Sequence, residues 1–340
     1  MKKFELWHGD CLELMKNIPD GSVDLVLTDP PYGTMKGAAL DGWGNQTTEW
    51  DTAIDPVKIF EQISRVLRKN GKAILFSQEP YTSRLITSAI PSLPFAYRAI
   101  WYKNVHANAL LAKSAMVSRY EDICVFVNKE THGGLHKLTS KITDLVMAVG
   151  FDEFAKIMMG EGRYKNLSSA KIATHKKIHL DGWNDYDSNP FDEHMYRYLE
   201  TKIEMPYTFD EYFAIVTEYK EKTKSVFNLW QGGNSKSNVL EYKKDNDGYH
   251  PTQKPVALLE DLIQTYSNEG NIVLDFTAGS MSTVIACINT NRNCITIEKD
   301  EHYFSVGCER VHKHILDNNI DEGYFNIAKK RIEEAVNDLP

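Results

Sequence analysis

Asn271-Ile272-Val273-Leu274-Asp275-Phe276-Thr277-Ala278-Gly279-Ser280-Met281-Ser282-Thr283 reads as an apolar strand that ends in an acid, turns through small residues and enters a helix. A second strand, Cys294 to Glu298, follows and ends in another acid, 23 positions after Asp275. That spacing is close to the one at which a strand-end carboxylate meets ribose hydroxyls in nucleoside-binding α/β units. The turn is not G-x-G-x-x-G and no G-K-[ST] follows, so a cofactor carrying a pyrophosphate fits poorly and a nucleoside without phosphates fits better. Taken alone, the stretch also admits an ordinary strand–turn–helix with both acids in solvent.

The same alternation continues outward. Val23–Thr28 reads as a strand, and Ile54–Lys69 as a helix with Ile59, Ile63, Val66 and Leu67 on one face, ended by Asn70-Gly71. Ala73–Phe76, Arg98–Tyr102 and Ile123–Val127 are further short strands, and Val256–Tyr266 and Ser282–Asn289 further helices. Short apolar strands between helices predict an α/β sheet buried on both faces. Between 131 and 245 polar and charged residues dominate, which predicts an inserted substrate region between two parts of one domain, 1–130 and 246–340. Asp300–Val306 is echoed by Asp321–Ile327 at a constant register of 21 residues, too little for a repeat architecture and consistent with two similar terminal helices.

Composition narrows the class. The 340 residues are 42% hydrophobic and 25% charged, the profile of a globular chain, with no apolar run long enough for a membrane helix and no secretory signal behind Lys2-Lys3. The five cysteines are scattered and never in C-x-x-C spacing, which argues against a disulfide framework and against zinc, and for a reducing cytoplasmic setting. A net charge of −8 excludes a uniformly basic coat, but the charge is segregated. From Lys156 to His179 six bases (Lys156, Arg163, Lys165, Lys171, Lys176 and Lys177) face the single acid Glu161, whereas ten acids face two bases from Asp181 to Glu218. His175 and His179 stand at i, i+4 with no third ligand evident, so a basic helix face touching phosphate is the better reading than a metal site.

Asp29-Pro30-Pro31-Tyr32 lies at the carboxyl end of the Val23–Thr28 strand, where open α/β sheets bind ligands. The prolines fix φ and remove two backbone donors, leaving an acceptor carboxylate beside acceptor carbonyls and an aromatic ring. That set suits a planar base with an exocyclic amine: Asp29 and a carbonyl take the two N–H groups and Tyr32 stacks. A rigid turn with a capping Asp is the alternative. His250-Pro251-Thr252-Gln253-Lys254-Pro255 precedes an amphipathic helix and alone is a loop and helix start.

Together, and in this linear order, these segments resemble the amino-group DNA methyltransferases that use S-adenosylmethionine, in the permuted arrangement of the β class. The similarity runs through 4–128 and 226–306. It implies a Rossmann-like methyltransferase sheet with helices on both faces, and a target-recognition region at 131–245. By the same resemblance Asp275, Phe276 and Gly279 line the methionine end of the cofactor and Glu298 holds the ribose hydroxyls. Asp10 and Cys11 meet the adenine end, while Thr252, Lys254 and Pro255 close the pocket. Asp29, Pro30, Pro31 and Tyr32 bind an extruded base, with no covalent enzyme intermediate. Double-stranded DNA is the implied partner, and a homodimer is common among such enzymes. The basic stretch itself puts Lys171, Lys176 and Lys177 on its phosphates, Lys36 is expected to meet phosphate or base edges, and neither metal nor membrane is expected. Asp at the head of D-P-P-Y leans towards N6-adenine; N4-cytosine methylation and a catalytically silent DNA-binding protein are the alternatives. Two departures stand out. Met281 occupies a position where relatives usually carry glycine, and is expected to narrow the cofactor pocket or to impose a turn with φ < 0. The loop from Gly33 to Trp50 is long and glycine-bearing, and is expected to be a lid with Trp43 filling the gap left by the base.

Overall fold

The computed structural model describes residues 4–33, 51–103, 113, 116–129, 134–178, 191–245 and 247–320. The expected lid, with Lys36 and Trp43, and the second copy of the terminal echo lie outside them. The chain forms two compact units, Thr131–Lys224 and the remainder.

The larger unit is built on eight strands: β1 (Phe4–His8), β2 (Val23–Thr28), β3 (Leu67–Ser77), β4 (Phe95–Tyr102), β5 (Tyr120–Val127), β6 (Val239–Glu241), β7 (Ile272–Asp275) and β8 (Asn293–Glu298). Their order across the sheet is β1-β8-β7-β2-β3-β5-β4-β6. All are parallel except β5, which runs antiparallel to both β3 and β4. Its helices are α1 (Cys11–Leu14), α2 (Pro56–Val66), α3 (Tyr81–Thr87) and, after the smaller unit, α9 (Val256–Tyr266), α10 (Ser282–Asn289) and α11 (Glu301–Asp317). Period-two alternation sends neighbouring strand residues to opposite faces. Leu25 and Leu27 pack in a core with Leu258, Leu262, Val284, Ile285 and Val311, while Val26 joins Met15, Ile59, Phe60 and Leu85 on the other side, as does Val23, which precedes a register shift. The sheet is therefore buried on both faces, an α/β Rossmann-like arrangement. Chain order reverses between β7 and β2, because β2 leads outward to β3 and β7 leads the other way to β8, which opens a crevice at the strand ends.

Helix α2 is shorter than the periodicity predicts. Asp55 caps it by accepting from Val57 N, and Pro56 starts it. It stops at Val66 because the buried Asn128 amide donates to the Ser64 and Leu67 carbonyls, and β3 begins at once. Asn70, at φ 60°, then accommodates a register shift against β2.

The smaller unit holds α4 (Gly134–Val149), α5 (Phe151–Gly160), α6 (Leu167–Ile178), α7 (Glu193–Glu200) and α8 (Phe209–Thr223). It has its own core of Ile142, Val146, Phe154, Met158, Tyr196, Leu199, Tyr212 and Val216. Residues 225–245, grouped with the inserted region on composition, belong instead to the sheet unit. Asn228 donates from its amide to the Gln264 and Ser267 carbonyls, and β6 adds to the sheet beside β4, so polar surface composition there conceals backbone pairing.

Candidate active site

Four parallel strands end on one edge, and each ends near an acid: Asp10 after β1, Asp29 after β2, Asp275 in β7 and Glu298 in β8. They line one cavity of about 1080 Å³, which also takes in Cys11, Pro30, Pro31, Tyr32, Thr252, Lys254, Phe276 and Gly279. Two chemically different halves meet there.

In the first half the acids organise loops. Glu298 accepts from Gly279 N at 2.7 Å and from Asp300 N at 2.8 Å, and burial raises its pKa. Gly279 adopts φ +51°, which favours glycine at that turn. Asp275 is enclosed: Thr28 and Thr283 hydroxyls donate to its two oxygens at 2.8 and 2.6 Å, and burial raises its pKa to about 6. Asp10 caps α1 by accepting from Leu12 N at 2.9 Å and pairs with Lys299 at 3.0 Å. Burial pushes the Cys11 thiol up to about 12, so it is no nucleophile at neutral pH.

In the second half, Asp29 accepts from the Tyr32 hydroxyl at 2.6 Å and from the Lys254 ammonium. Tyr32 stacks on Tyr81 with ring centroids 5.4 Å apart. Lys254, 6% exposed, also reaches Glu121 at 3.2 Å, and Glu121 is in turn paired with Lys103. The row Asp29–Lys254–Glu121–Lys103 alternates in sign, with Lys254 over the Phe76 ring and Lys103 over Trp101. Burial works against the charge on Lys254, yet the two carboxylates outweigh it and raise its pKa, while the two ammoniums outweigh burial at Glu121 and lower its pKa. Burial raises Asp29, and the Lys254 charge opposes that rise.

The model of the N6/N4-type DNA methylase family matches residues 23–309. The chain belongs to that family of DNA methylases. It is 26% identical over 305 residues to the DNA adenine methyltransferase YhdJ of Escherichia coli, covering 89% of this chain and 81% of that one. It is 23% identical to the Type II methyltransferase M.HpaI of Haemophilus parainfluenzae, covering 89% and 72%. Among solved structures, the M1.HpyAVI–SAM complex aligns over 91% of this chain and 98% of that one, with a TM-score of 0.50 at 18% identity, a likeness of fold.

Several residues of this methylase sit differently from expectation. Lys254, expected to close the cofactor pocket, points to Asp29 and Glu121 in the second half. Pro255 is not among the lining residues and instead starts α9, its carbonyl accepting from Leu258 N and Leu259 N. Met281 neither narrows the cavity nor takes φ < 0. It is left-handed at φ 59°, fully buried, and its side chain turns into the core against Gly307 of α11. Arg310 secures that turn by donating to the Ser280 carbonyl at 3.1 Å and the Ser282 hydroxyl at 2.8 Å. Lys171 pairs with Asp152 at 2.6 Å, and the side chains of Lys176 and Lys177 lie outside the described residues.

Sequence reading passed over Glu121, Lys103 and His250. The strand-end rule looks to carboxyl ends, but antiparallel β5 brings its amino end, with Glu121, to the same edge. His250 was visible in the H-P-T-Q-K-P string. Its Nδ1 accepts from Thr252 N at 3.2 Å, its ring lies 4.1 Å from that of Tyr303, and burial with the nearby Lys254 and Lys244 charges lowers its pKa to about 3.

Proposed function

We propose that this DNA methylase transfers a methyl group from S-adenosylmethionine to the N6 amine of an adenine turned out of DNA. The observation that carries this reading is that Asp29, Pro30, Pro31 and Tyr32 open into the same cavity as the Gly279 turn and Glu298. The cofactor half suits the group. Its donor set is acidic, with Asp10, Asp275, Glu298 and Asp300 in the wall, and has no glycine-rich phosphate cradle, as a cationic nucleoside without phosphates requires. Glu298 and Asp10 would take the ribose and adenine ends, with Phe276 and Gly279 at the methionine end and Thr252 closing the cavity. When bound, the cofactor supplies an electrophilic methyl on a sulfonium.

The chain's own residues then do positioning work. The Asp29 carboxylate and the Pro30 carbonyl accept the two amine N–H groups, which draws the nitrogen lone pair out of conjugation and aims it at the methyl. Tyr32, braced by Tyr81 on one face, offers the other to the base. Holding the two reactants in line contributes much of the rate. The smaller unit's basic stretch, including Lys171, Lys176 and Lys177, would meet phosphates and supply target recognition, and Lys36, outside the described residues, is part of the DNA-binding reading. Relatives named Type II methyltransferases support a restriction–modification setting; a cytoplasmic location and a homodimer are part of the same reading.

Adenine is favoured by Asp29 at the head of the motif and by YhdJ, named a DNA adenine methyltransferase. N4-cytosine methylation shares the geometry and is the competing reading. Expression in a host without DNA methylation, followed by nucleoside mass spectrometry and sequencing of modified sites, tests both. N6-methyladenine is expected; N4-methylcytosine would select the competitor, and the absence of both would overturn the activity.

A further inference from the structure

We propose that Lys254 is a placeholder for the target amine: its ammonium occupies Asp29 until the base arrives and then passes to Glu121, which makes Glu121 a positioning residue for the transfer. The inference rests on the methylation reading above.

Both Asp29 oxygens are engaged, Oδ1 by the Tyr32 hydroxyl at 2.6 Å and Oδ2 by Lys254. An amine that donates to Asp29 must displace one of them. Tyr32 lies three residues along the same proline-stiffened turn, with its ring held against Tyr81. Lys254 comes from a separate loop on a flexible four-carbon stem and already touches a second carboxylate, Glu121 Oε2, at 3.2 Å. A small swing therefore frees Asp29 Oδ2 and leaves the ammonium paired.

The charges balance before and after. Asp29 and Glu121 carry the negative charges, Lys254 and Lys103 the positive ones, and the entering amine is neutral. Lys103 holds Glu121 from the other side, and the Phe76 ring 5.1 Å from the Lys254 nitrogen provides an apolar, cation-tolerant floor along the path. Lys244, a third lysine lining this end of the cavity among the described residues, is anchored on the Pro251 carbonyl at 2.8 Å. Without Glu121, Lys254 would have to leave Asp29 for a buried position without a counter-charge, so it would stay and compete with the amine.

The test compares Glu121→Gln, Glu121→Asp, Lys254→Met and the Glu121→Gln/Lys254→Met pair, each checked for folding by thermal melting. The readouts are kcat/KM for DNA with labelled S-adenosylmethionine, and calorimetric cofactor binding without DNA. Glu121→Gln is expected to lose at least about tenfold in kcat/KM while cofactor affinity holds within about twofold. Glu121→Asp should recover most of that loss. The double variant should exceed Glu121→Gln alone, because the trapped ammonium is gone. A double variant at or below the worse single variant would overturn the handover. Independently of any variant, a wild-type complex with duplex and a cofactor analogue should show Lys254 on Glu121 and more than about 4 Å, the limit of an ion pair, from Asp29. Lys254 still on Asp29 with the base in place would overturn it. If wild-type protein moves no methyl to DNA, the methylation reading itself fails and the handover with it.

Discussion

Met281 gives a prediction whose sign depends on the tertiary structure. Its backbone is left-handed, at φ 59° and ψ 33°, and its side chain is fully buried with Val284, Ile285, Phe304 and Cys308. Met281→Gly relieves the left-handed penalty of about 1–2 kcal/mol but empties a core site, where Met truncation costs about 2–5 kcal/mol. The net expectation is a loss of roughly 1–3 kcal/mol. Met281→Ala keeps the backbone strain and should lose about 1 kcal/mol more than the glycine variant. A Cβ added at Gly307 would lie 2.7 Å from Met281 Cγ and 3.2 Å from the Gly279 carbonyl. Gly307→Ala alone should therefore cost about 1–3 kcal/mol through overpacking. In the Met281→Ala background the methyl enters the vacated space, and the double variant should be less destabilised than the summed singles by at least about 0.5 kcal/mol. Urea unfolding followed by tryptophan emission measures all four proteins. Calorimetry should show cofactor affinity unchanged within about twofold for a side chain that does not reach the cavity. A Met281→Gly protein more stable than wild type, or a clear change in its cofactor affinity, would refute this account.

Asp29→Ala should abolish methyl transfer while calorimetric cofactor binding persists, whereas Glu298→Ala should weaken cofactor binding first by releasing Gly279 N and Asp300 N; equal loss of affinity in both would dissolve the two-half site. Asp275, raised by burial to about 6, holds its proton in the fold at pH values where the unfolded chain has released it, so its contribution to stability declines as pH rises from roughly 4 to about 6. His250, lowered to about 3, acts in the opposite direction: its contribution is complete above roughly pH 6.5 and is lost as pH falls towards 3. Urea unfolding against pH for Asp275→Asn and His250→Asn should flatten opposite slopes, and equal slopes in both would contradict the assignments. Neutralising Lys171, Lys176 and Lys177 together should weaken binding to all DNA sequences and lower the salt slope, by about 2 if Lys171 stays with Asp152, as salt-dependent filter binding would show.

The strands around the crevice were legible because each carries its pattern locally. The apolar runs ending at Thr28, Asp275 and Glu298 need no knowledge of their neighbours, and parallel pairing places their ends on one edge. The helix after Met281 was legible to the residue for the same reason. What local pattern could not carry was direction and partnership. Whether β5 ran up or down decided whether Glu121 faced the site or the far edge. The H-P-T-Q-K-P string placed Lys254 near the crevice, but its orientation was set by carboxylates more than a hundred residues away in sequence. Met281 looked like an intrusion into the cofactor turn until α11 presented Gly307, whose missing side chain gives it room in the core. Residues 225–245 likewise read as surface because β6 is three residues long and joins the sheet through backbone hydrogen bonds, which composition does not record. Hydrophobic periodicity and strand-end acids are properties of a single segment, so the sequence alone determined them; side-chain direction and charge pairing arise between segments, and only the tertiary structure decided those.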